Sequence, residues 1–478
     1  MSFPEHPNTP GGPNGNGVHG RARILTLPLV LAAALSLLAA GREFTSFDSV
    51  KPILNAQRAQ APAELKGADA PQWLAWARRR DQAIRARLEQ GDLDSMVNLL
   101  LSGTSFTQRP RIPMEGLTEA SKSGVLKARV DDLVAGLRSP GDNERLLFLR
   151  RLLHSQGIDP EAAEGPRQSG VFILKNLLRV AEERKTLAAR AAEVDRREPP
   201  DDPASLLDRS SFFQDRGLSL DTGIIPNFSI EQTMRDLKAR GVLREGQVAR
   251  VAVIGPGLDF IDKNEASAYD YYPQQTLQPF ALYDTLIRLG LAKPNALALS
   301  ILDISPRVLE HIRHARERAA KNTGYVLQLP RDVARPWPPA LIAYWRALGD
   351  RAGSDVAPIR PPEIFGGMET RAVRIRPDVV LACDPADLDI VVEHLDLAAA
   401  DRFDLIVGTN IFVYYDAFEQ SLALENVAAM LRPGGLLLTN DRLPEAASGS
   451  LRLAGVTVVP FDAPGASVHL AVGWYRKQ

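Results

Sequence analysis

A Gly-x-Gly turn after a short apolar run is the sequence feature with the clearest chemical meaning. The run Val251–Ile254 is typical of a buried parallel strand, and Gly255, Pro256 and Gly257 follow it directly. Glycine lacks a Cβ, so a ligand can approach its backbone closely and the chain can take positive φ angles. Nucleotide-type cofactors bind at such turns, beyond the first strand of an open α/β sheet. Many tight turns also carry two glycines, so the meaning of this one depends on the polar residues that follow.

Acidic side chains occur where two later strands are expected to end. Asp303 lies near the end of the predicted strand Ala296–Ile304, where a carboxylate can accept hydrogen bonds from both hydroxyls of a ribose. Asp384 and Asp387 lie further along the chain, and a carboxylate there can bind the amino group of an adenine. Each of the three has a simpler alternative, which is to cap the helix that follows it. Both interpretations stay open.

The scaffold for these residues is predicted by the hydrophobic pattern after about residue 225. Strands alternate with helices there, which predicts an α/β fold with a doubly wound parallel sheet. The last two strands leave no room for a helix between them, which predicts an antiparallel hairpin at the sheet edge. The predicted strands are Arg250–Ile254, Ala296–Ile304, Phe403–Gly408, Gly435–Thr439, Val456–Val459 and Val468–Trp474. The predicted helices are Ser229–Arg240, Leu277–Leu289, Ser305–Lys321 and Ala417–Leu431.

Residues 225–478 resemble the class I, seven-stranded S-adenosylmethionine (SAM)-dependent methyltransferases in four stretches that occur in the family's order. The most specific stretch is Phe403–Asp416, a strand with Asn410 after its carboxyl end, followed by the Leu-Arg-Pro-Gly-Gly sequence of Leu431–Gly435. The others are Val251–Phe260, Leu302–Ser305 and Ala382–Leu388. The resemblance implies a seven-stranded sheet, SAM as the cofactor, and contacts to it from Gly255, Pro256, Gly257, Asp259, Asp303, Ile304, Asp384, Asp387 and Asn410.

The resemblance also assigns parts of the cofactor, and the chain departs from the family pattern at one end. The glycine turn lies under the methionine part, Asp303 holds the ribose, and Asp384 or Asp387 contacts the adenine. Val253 stands where the family usually has an acid, and Asp259 stands where it usually has a third glycine. We expect Asp259 to take over the missing contact to the methionine ammonium.

Two insertions separate the motifs by more residues than is usual in the family. They span residues 262–279 and Pro330–Glu369, and the second contains Trp337, Tyr344 and Trp345. Long insertions on an enzyme scaffold are usually lids or substrate loops. The aromatic residues suit a planar acceptor, and packing beneath the loop explains them equally well.

Methyl transfer requires a positioned acceptor, and a base if the acceptor must lose a proton. Asn410 and Tyr414 follow the fourth strand and are predicted to position the acceptor. Asp416 is a candidate base, although capping the helix from Ala417 is the favoured interpretation. We therefore predict a SAM-dependent methyltransferase acting on a small-molecule or protein acceptor.

Two other functions compete with this prediction. A catalytically inactive, membrane-tethered binding module is favoured by Val253 and by a predicted export signal, since SAM is expected in the cytoplasm. An NAD(P)-dependent oxidoreductase is less favoured, because Phe260 occupies the sixth position of the glycine motif and the terminal hairpin has no role in that fold.

The first 200 residues contain no recognisable chemistry. Residues 1–20 are rich in Pro, Gly and Asn and are predicted to be disordered. Residues 21–41 combine basic residues, the apolar run Ile24–Ala40 and small residues, and are predicted to be a membrane anchor or a signal peptide. Periodic leucines and tryptophans predict an all-α domain over 42–200 with an interaction or lid role. A Pro-rich linker at 198–203 then precedes the methyltransferase-like domain, 205–478.

Composition limits the partners. The 57 basic and 58 acidic residues nearly cancel, so nothing indicates non-specific nucleic-acid binding. The single cysteine, Cys383, excludes an intrachain disulfide, and the seven histidines show no metal-ligand spacing. The predicted partners are a methyl acceptor and, through residues 24–40, a membrane.

Overall fold

The structure is a computed structural model that describes residues 41–112, 119–197, 217–218, 223–259, 270–333, 336–363, 367–441, 443–444, 449–461 and 469–478. The predicted disordered segment, nearly all of the predicted anchor and the predicted linker lie outside these ranges. In the helices that the structure does describe, no stretch is both long and apolar enough to cross a membrane.

Twelve strands and eleven α-helices form the described part of the chain. The strands are β1 (Arg42–Phe44), β2 (Arg250–Ile254), β3 (Ala298–Asp303), β4 (Tyr325–Asp332), β5 (Gly353–Val356), β6 (Met368–Ile375), β7 (Cys383–Asp387), β8 (Glu393–Leu395), β9 (Phe403–Gly408), β10 (Leu431–Thr439), β11 (Leu451–Pro460) and β12 (His469–Lys477). The helices are α1 (Phe47–Ala56), α2 (Ala70–Ser102), α3 (Glu119–Arg138), α4 (Glu144–Ser155), α5 (Gly165–Arg197), α6 (Ile224–Ala239), α7 (Gln278–Arg288), α8 (Pro306–Ala320), α9 (Pro339–Ala347), α10 (Pro377–Leu381) and α11 (Ala417–Met430).

The main sheet has seven strands in the order β11-β12-β10-β9-β2-β3-β7. Neighbouring strands from β10 to β7 are parallel, while β12 is antiparallel to both β10 and β11. The predicted doubly wound sheet with a terminal antiparallel hairpin is confirmed. The chain leaves β2 outward to β3 and β7, then returns to β9 on the other side of β2. Ligands of open α/β sheets bind at such a reversal, outside the carboxyl ends of the strands.

Each face of the sheet carries its own hydrophobic core. One core joins α6, α7 and α8 to the side chains of Val251 and Val253. The other joins α1, α11 and the first half of α2 to those of Ala252 and Ile254. This alternation along β2 is the two-residue period of a strand buried on both faces.

The amino-terminal segment packs against one face of the main sheet. β1 pairs with β8, and the indole of Trp73 donates a hydrogen bond to the carbonyl of Thr45, 2.6 Å away. Trp73 and Trp76 stack at 5.2 Å within the second core. The rest of α2 packs with α3, α4 and α5 around a third core. The predicted helices are present, and α2 belongs to both cores.

The second insertion is structural, in contrast to the expected lid. β4, β6 and β5 form a three-stranded antiparallel sheet, and α9 packs beside it. Tyr344 and Trp345 are 2% and 3% exposed, in the same core as β2. The indole of Trp345 also donates to the carbonyl of Leu329, 3.1 Å away. The aromatic residues therefore contribute to stability, the packing alternative left open above.

We predict that Trp345→Ala lowers the free energy of unfolding by about 3–5 kcal/mol, the usual cost of truncating a buried aromatic side chain. The measurement is urea unfolding followed by circular dichroism. Ile359→Ala is the matched control in the same insertion, because Ile359 is 40% exposed and its truncation should cost within about 0.5 kcal/mol. A Trp345→Ala protein of unchanged stability would contradict the core assignment.

Candidate active site

The turn after β2 depends on glycine for two separate reasons. Gly255 and Gly257 have φ angles of 60° and 74°, which residues with a Cβ rarely adopt. A Cβ on Gly255 would also overlap the Cδ1 atom of Ile411, which follows β9. The Gly255 amide donates to the carbonyl of Leu302 on β3, 2.9 Å away. The turn is therefore held between the end of β3 and the loop after β9.

A small polar cavity lies at this turn. Its lining residues are Gly223, Pro226, Asn227, Gly255, Pro256, Gln278, Thr409 and Asn410. The side-chain amide of Gln278 at the start of α7 donates to the hydroxyl of Thr409, 2.9 Å away. The cavity volume is about 20 Å³, which is room for roughly one water molecule. The cavity marks the point where the sheet reverses, and a ligand larger than water has to widen it.

Asn410 is fixed in an unusual backbone conformation by the end of β10. Its φ angle is 57°, in the left-handed region. The Asn410 amide donates to Asn440 Oδ1 at 2.8 Å, and Asn440 Nδ2 donates to Asn410 Oδ1 at 2.6 Å. Asp441 Oδ2 accepts from the next two amides, those of Ile411 and Phe412, at 3.1 and 2.9 Å. Burial raises the pKa of Asp441 to about 6, although these N–H donors act to lower it.

Asn440 and Asp441 were missed by the sequence analysis. They directly follow the end of β10 at Thr439, as Asn410 follows the end of β9. Because β9 and β10 are parallel neighbours, their carboxyl ends meet at one edge. The position of Asn440 and Asp441 after a predicted strand was the signal available for finding them.

Asp303 and Asp387 lie side by side at the same edge, because β3 and β7 pair in that register. Asp303 is buried, and its Oδ1 accepts from the Ser305 amide at 2.7 Å. Burial raises the pKa of Asp303 to about 7, helped by the negative charge of Asp387 and opposed by the amides of Ser305 and Ile304. Asp303 thus binds the local backbone before α8, and it also lies where a ribose carboxylate is expected.

Asp384 is not brought to this edge. It pairs with Ser300 in the middle of β3 and forms an ion pair with Arg316 at 3.4 Å. It lies three positions before Asp387 along the strand, a distance of about 10 Å. No helix begins at Leu388, so the alternative capping role of these two acids is wrong. Of the two adenine candidates, only Asp387 lies at the edge.

Asp259 lies beside Tyr272 and α4. Burial raises the pKa of the Tyr272 hydroxyl well above its ordinary value, and the hydrogen-bonded carboxylate of Asp259 raises it further. The guanidinium of Arg145 lies 3.5 Å from the Asp259 carbonyl oxygen. The expected contact of Asp259 to an ammonium group stays a prediction, because Tyr272 is the partner seen here.

Asp416 caps α11. Its Oδ1 accepts from the Glu419 amide at 2.8 Å, and Glu419 Oε2 accepts from the Asp416 amide at 3.1 Å. This reciprocal pair is a capping box. The interpretation favoured from the sequence is present, and the structure gives no support to Asp416 as a base. Tyr414 is half-buried in a turn of 3-10 helix, Phe412–Tyr414, close to Asn410 in the chain.

Helix α2 crosses the carboxyl edge of the sheet, although the sequence analysis found no chemistry in it. The guanidinium of Arg87 donates to the carbonyl of Tyr414 at 3.0 Å. Asp92 pairs with Arg307 at the start of α8 at 3.1 Å. The remaining contacts at this edge are Arg80 with Glu419, Arg85 with Asp387, and Arg85 with the carbonyl of Ile304. α2 therefore touches the loops after β3, β7 and β9.

We predict that Gly255→Ala weakens S-adenosylhomocysteine binding at least tenfold, because the added methyl displaces Ile411 and with it the Asn410 loop. The measurement is isothermal titration calorimetry, with urea unfolding in parallel. Gly141→Ala is the control for backbone strain, since Gly141 has a φ of 55° and nothing within 4 Å of an added Cβ. Both variants should lose about 1–3 kcal/mol of stability from strain.

Ile411→Val removes the overlapping Cδ1 atom, so the double variant Gly255→Ala/Ile411→Val should regain part of the lost affinity. If Gly255→Ala binds S-adenosylhomocysteine as tightly as Gly141→Ala does, the close approach of Ile411 has no role in the site.

No protein-family model and no curated protein matches the chain. Among solved structures, N-methyltransferase NodS from Bradyrhizobium japonicum is 14% identical, with a TM-score of 0.25 over 52% of this chain and 94% of its own. The glycopeptide N-methyltransferase MtfA, complexed with SAM, is 12% identical, with a TM-score of 0.26 over 54% of this chain and 96% of its own.

A third match extends further along the chain. MtNAS, solved in complex with MTA and tNA, is 12% identical, with a TM-score of 0.23 over 73% of this chain and 96% of its own. These identities and scores are too low to support a conclusion about ligand or activity. The likeness to the class I methyltransferase fold rests on the strand order and on the terminal hairpin.

Proposed function

We propose that this chain binds SAM at the carboxyl edge of its main sheet and transfers the methyl group to a small-molecule or protein acceptor. One observation carries the proposal. The Gly255–Gly257 turn, the Asp303–Asp387 pair and the Asn410 loop meet at the reversal of the sheet, although together they span more than 150 residues of the chain.

Each group has a distinct part in holding the cofactor. The backbone at Gly255 and Gly257 permits close approach of the methionine portion. Asp303 accepts from the ribose hydroxyls, and Asp387, at the end of the neighbouring strand, accepts from the adenine amino group. We assign the adenine contact to Asp387 and not to Asp384, because only Asp387 reaches the edge.

Bound SAM supplies a methyl group on a sulfonium, which is already electrophilic. The protein's own contribution is to hold the acceptor in line with that methyl group and to exclude water. Asn410, Thr409 and Gln278 line the cavity beside the glycine turn and are the positioning groups. Asn440 orients the Asn410 side chain in advance, so the position of this amide does not depend on the ligand.

A non-catalytic binding module is the second candidate. Two observations favour it: Val253 in place of the usual acid, and a cavity of about 20 Å³ that holds no more than a water molecule. The two candidates differ in whether a methyl group is transferred, so a binding measurement followed by a transfer assay separates them.

We predict that the affinity for S-adenosylhomocysteine rises between pH 5.5 and 7.5, by up to about tenfold per pH unit at the acid end. The free protein holds a proton on Asp303 below its pKa of about 7, and the ribose hydroxyls favour the ionised form. Binding must therefore release that proton, which costs affinity at low pH. The measurement is calorimetry in buffers of different ionisation enthalpy, which counts the protons released.

Asp303→Asn is the control. It should bind S-adenosylhomocysteine more weakly, and its affinity should not change with pH. Asp441, with a pKa of about 6, is still present in this variant, so a flat profile would assign the pH dependence to Asp303. Without ligand, the effect of Asp303 on folding stability has the opposite dependence on pH. The folded protein holds the Asp303 proton more tightly than the unfolded chain, so this contribution to stability is lost as the pH rises from 3.8 to about 7. Parallel pH profiles for Asp303→Asn and the natural protein would exclude Asp303 from the site.

We predict that the full chain transfers tritium from methyl-labelled SAM to an acceptor in a panel of amines, phenols, carboxylates and protein extracts. Asn410→Ala should lower the transfer rate roughly 100-fold, which is the cost of a misplaced reactant. Asp396→Ala, a substitution on the connection between β8 and β9, is the control. Binding of S-adenosylhomocysteine without transfer to any acceptor would favour the binding module.

A further inference from the structure

The two carboxylate oxygens of Asp387 are held by arginines from two different parts of the chain. Arg42 on β1 donates to Oδ2 at 2.8 Å, and Arg85 on α2 donates to Oδ1 at 2.8 Å. Arg42 also pairs with the buried Glu393 on β8 at 3.2 Å, within the β1–β8 pairing. The Arg42 side chain is therefore fixed by the pairing of β1 with β8. Arg85 instead reaches Asp387 from α2, which crosses the carboxyl edge of the main sheet.

The guanidinium of Arg85 covers the ends of two strands at once. Its Nη1 atom donates to Asp387 at the end of β7 and lies 3.4 Å from the carbonyl oxygen of Ile304, just after β3. Both groups belong to the predicted cofactor contacts. An adenine amino group that hydrogen-bonds to Asp387 at this edge would compete with Arg85 for the carboxylate.

We propose that Arg85 gates the adenosine end of the site: its guanidinium leaves Asp387 when adenosine binds, while Arg42 stays and holds the carboxylate in place. This inference rests on the proposed function. It assigns opposite effects to two arginines on one carboxylate. Arg42 is a positioning residue that favours binding, and Arg85 is a competitor that opposes it.

Arg85 keeps a partner after it leaves Asp387. Its Nε donates to Asp81, one turn earlier on α2, at 2.7 Å, and Glu393 lies 3.8 Å from its Nη2. The guanidinium therefore keeps acidic partners. An unpaired charge at a half-buried position would be destabilising. The Asp387 side chain is 42% exposed, and an ion pair at such a site is weak enough to exchange.

The moving part is the side chain and not the helix. Ile84, adjacent to Arg85, is fully buried in the second core, together with Trp73 and Trp76. Further contacts hold α2 on both sides of Arg85, through Arg80 with Glu419 and Asp92 with Arg307. Rotation of one guanidinium opens the edge, and the packing of α2 stays intact.

The test is calorimetric binding of adenosine and of S-adenosylhomocysteine to the full chain. We expect Arg85→Met to increase the affinity for both ligands by about two- to fivefold, the range that corresponds to losing one partly exposed ion pair. Arg42→Met should weaken both by a similar factor, and Arg42→Lys, which keeps the charge, serves if Arg42→Met is poorly folded. Arg79→Met, on the same helix and paired with the exposed Glu64, should bind like the natural protein.

A further variant ties the effect to the carboxylate. In an Asp387→Asn background, Arg85→Met should give no gain, because there is no longer an ion pair to release. Weaker binding by Arg85→Met overturns the gate and leaves the SAM site standing. Gain by Arg85→Met in the Asp387→Asn background also overturns it. If S-adenosylhomocysteine binds to none of these proteins, the proposed function and the gate fail together.

Discussion

The pairing of β2 with parallel neighbours on both sides is the constraint on which the rest of the structure depends. Val253 lies opposite Ile301 on one side and Val407 on the other, so three carboxyl ends are brought level. A one-residue slip in either pairing would turn buried side chains to the wrong face of the sheet. The hydrophobic cores on both faces therefore fix the register, and the register fixes which polar residues meet at the edge.

The sequence predicted six of the seven strands of the main sheet, because these are short apolar runs, most of them separated by helices of regular period. It missed β7, whose residues Cys383–Asp387 include two acids and a proline. It predicted no strand of the three-stranded insertion sheet, part of which was expected to be a lid or substrate loop. β5 is only four residues long, and Arg371 and Arg374 interrupt the apolar pattern of β6. These strands gain their stability from pairing with β4 and from α9 beneath them, and neither contact is visible in a local pattern.

Within the site, residues that depend on one strand end were predictable and residues that depend on register were not. Gly255, Asp303 and Asn410 each end a strand or follow one, and all three lie at the edge. The choice between Asp384 and Asp387 depended on how β7 aligns with β3, which no single segment encodes. The contacts that Arg85 and Arg87 of α2 make at the sheet edge could not be foreseen for the same reason. Their partners lie more than 200 residues away in the chain.

The length of α2 has a consequence for how the molecule behaves as a whole. Its 33 residues correspond to about 50 Å of continuous helix, with one end in the core under the sheet and the other in the bundle of α3, α4 and α5. A helix embedded in two cores ties their unfolding together. Helix α2 therefore links the bundle to the edge of the sheet. A fragment beginning after the bundle would lack the part of α2 that belongs to the second core.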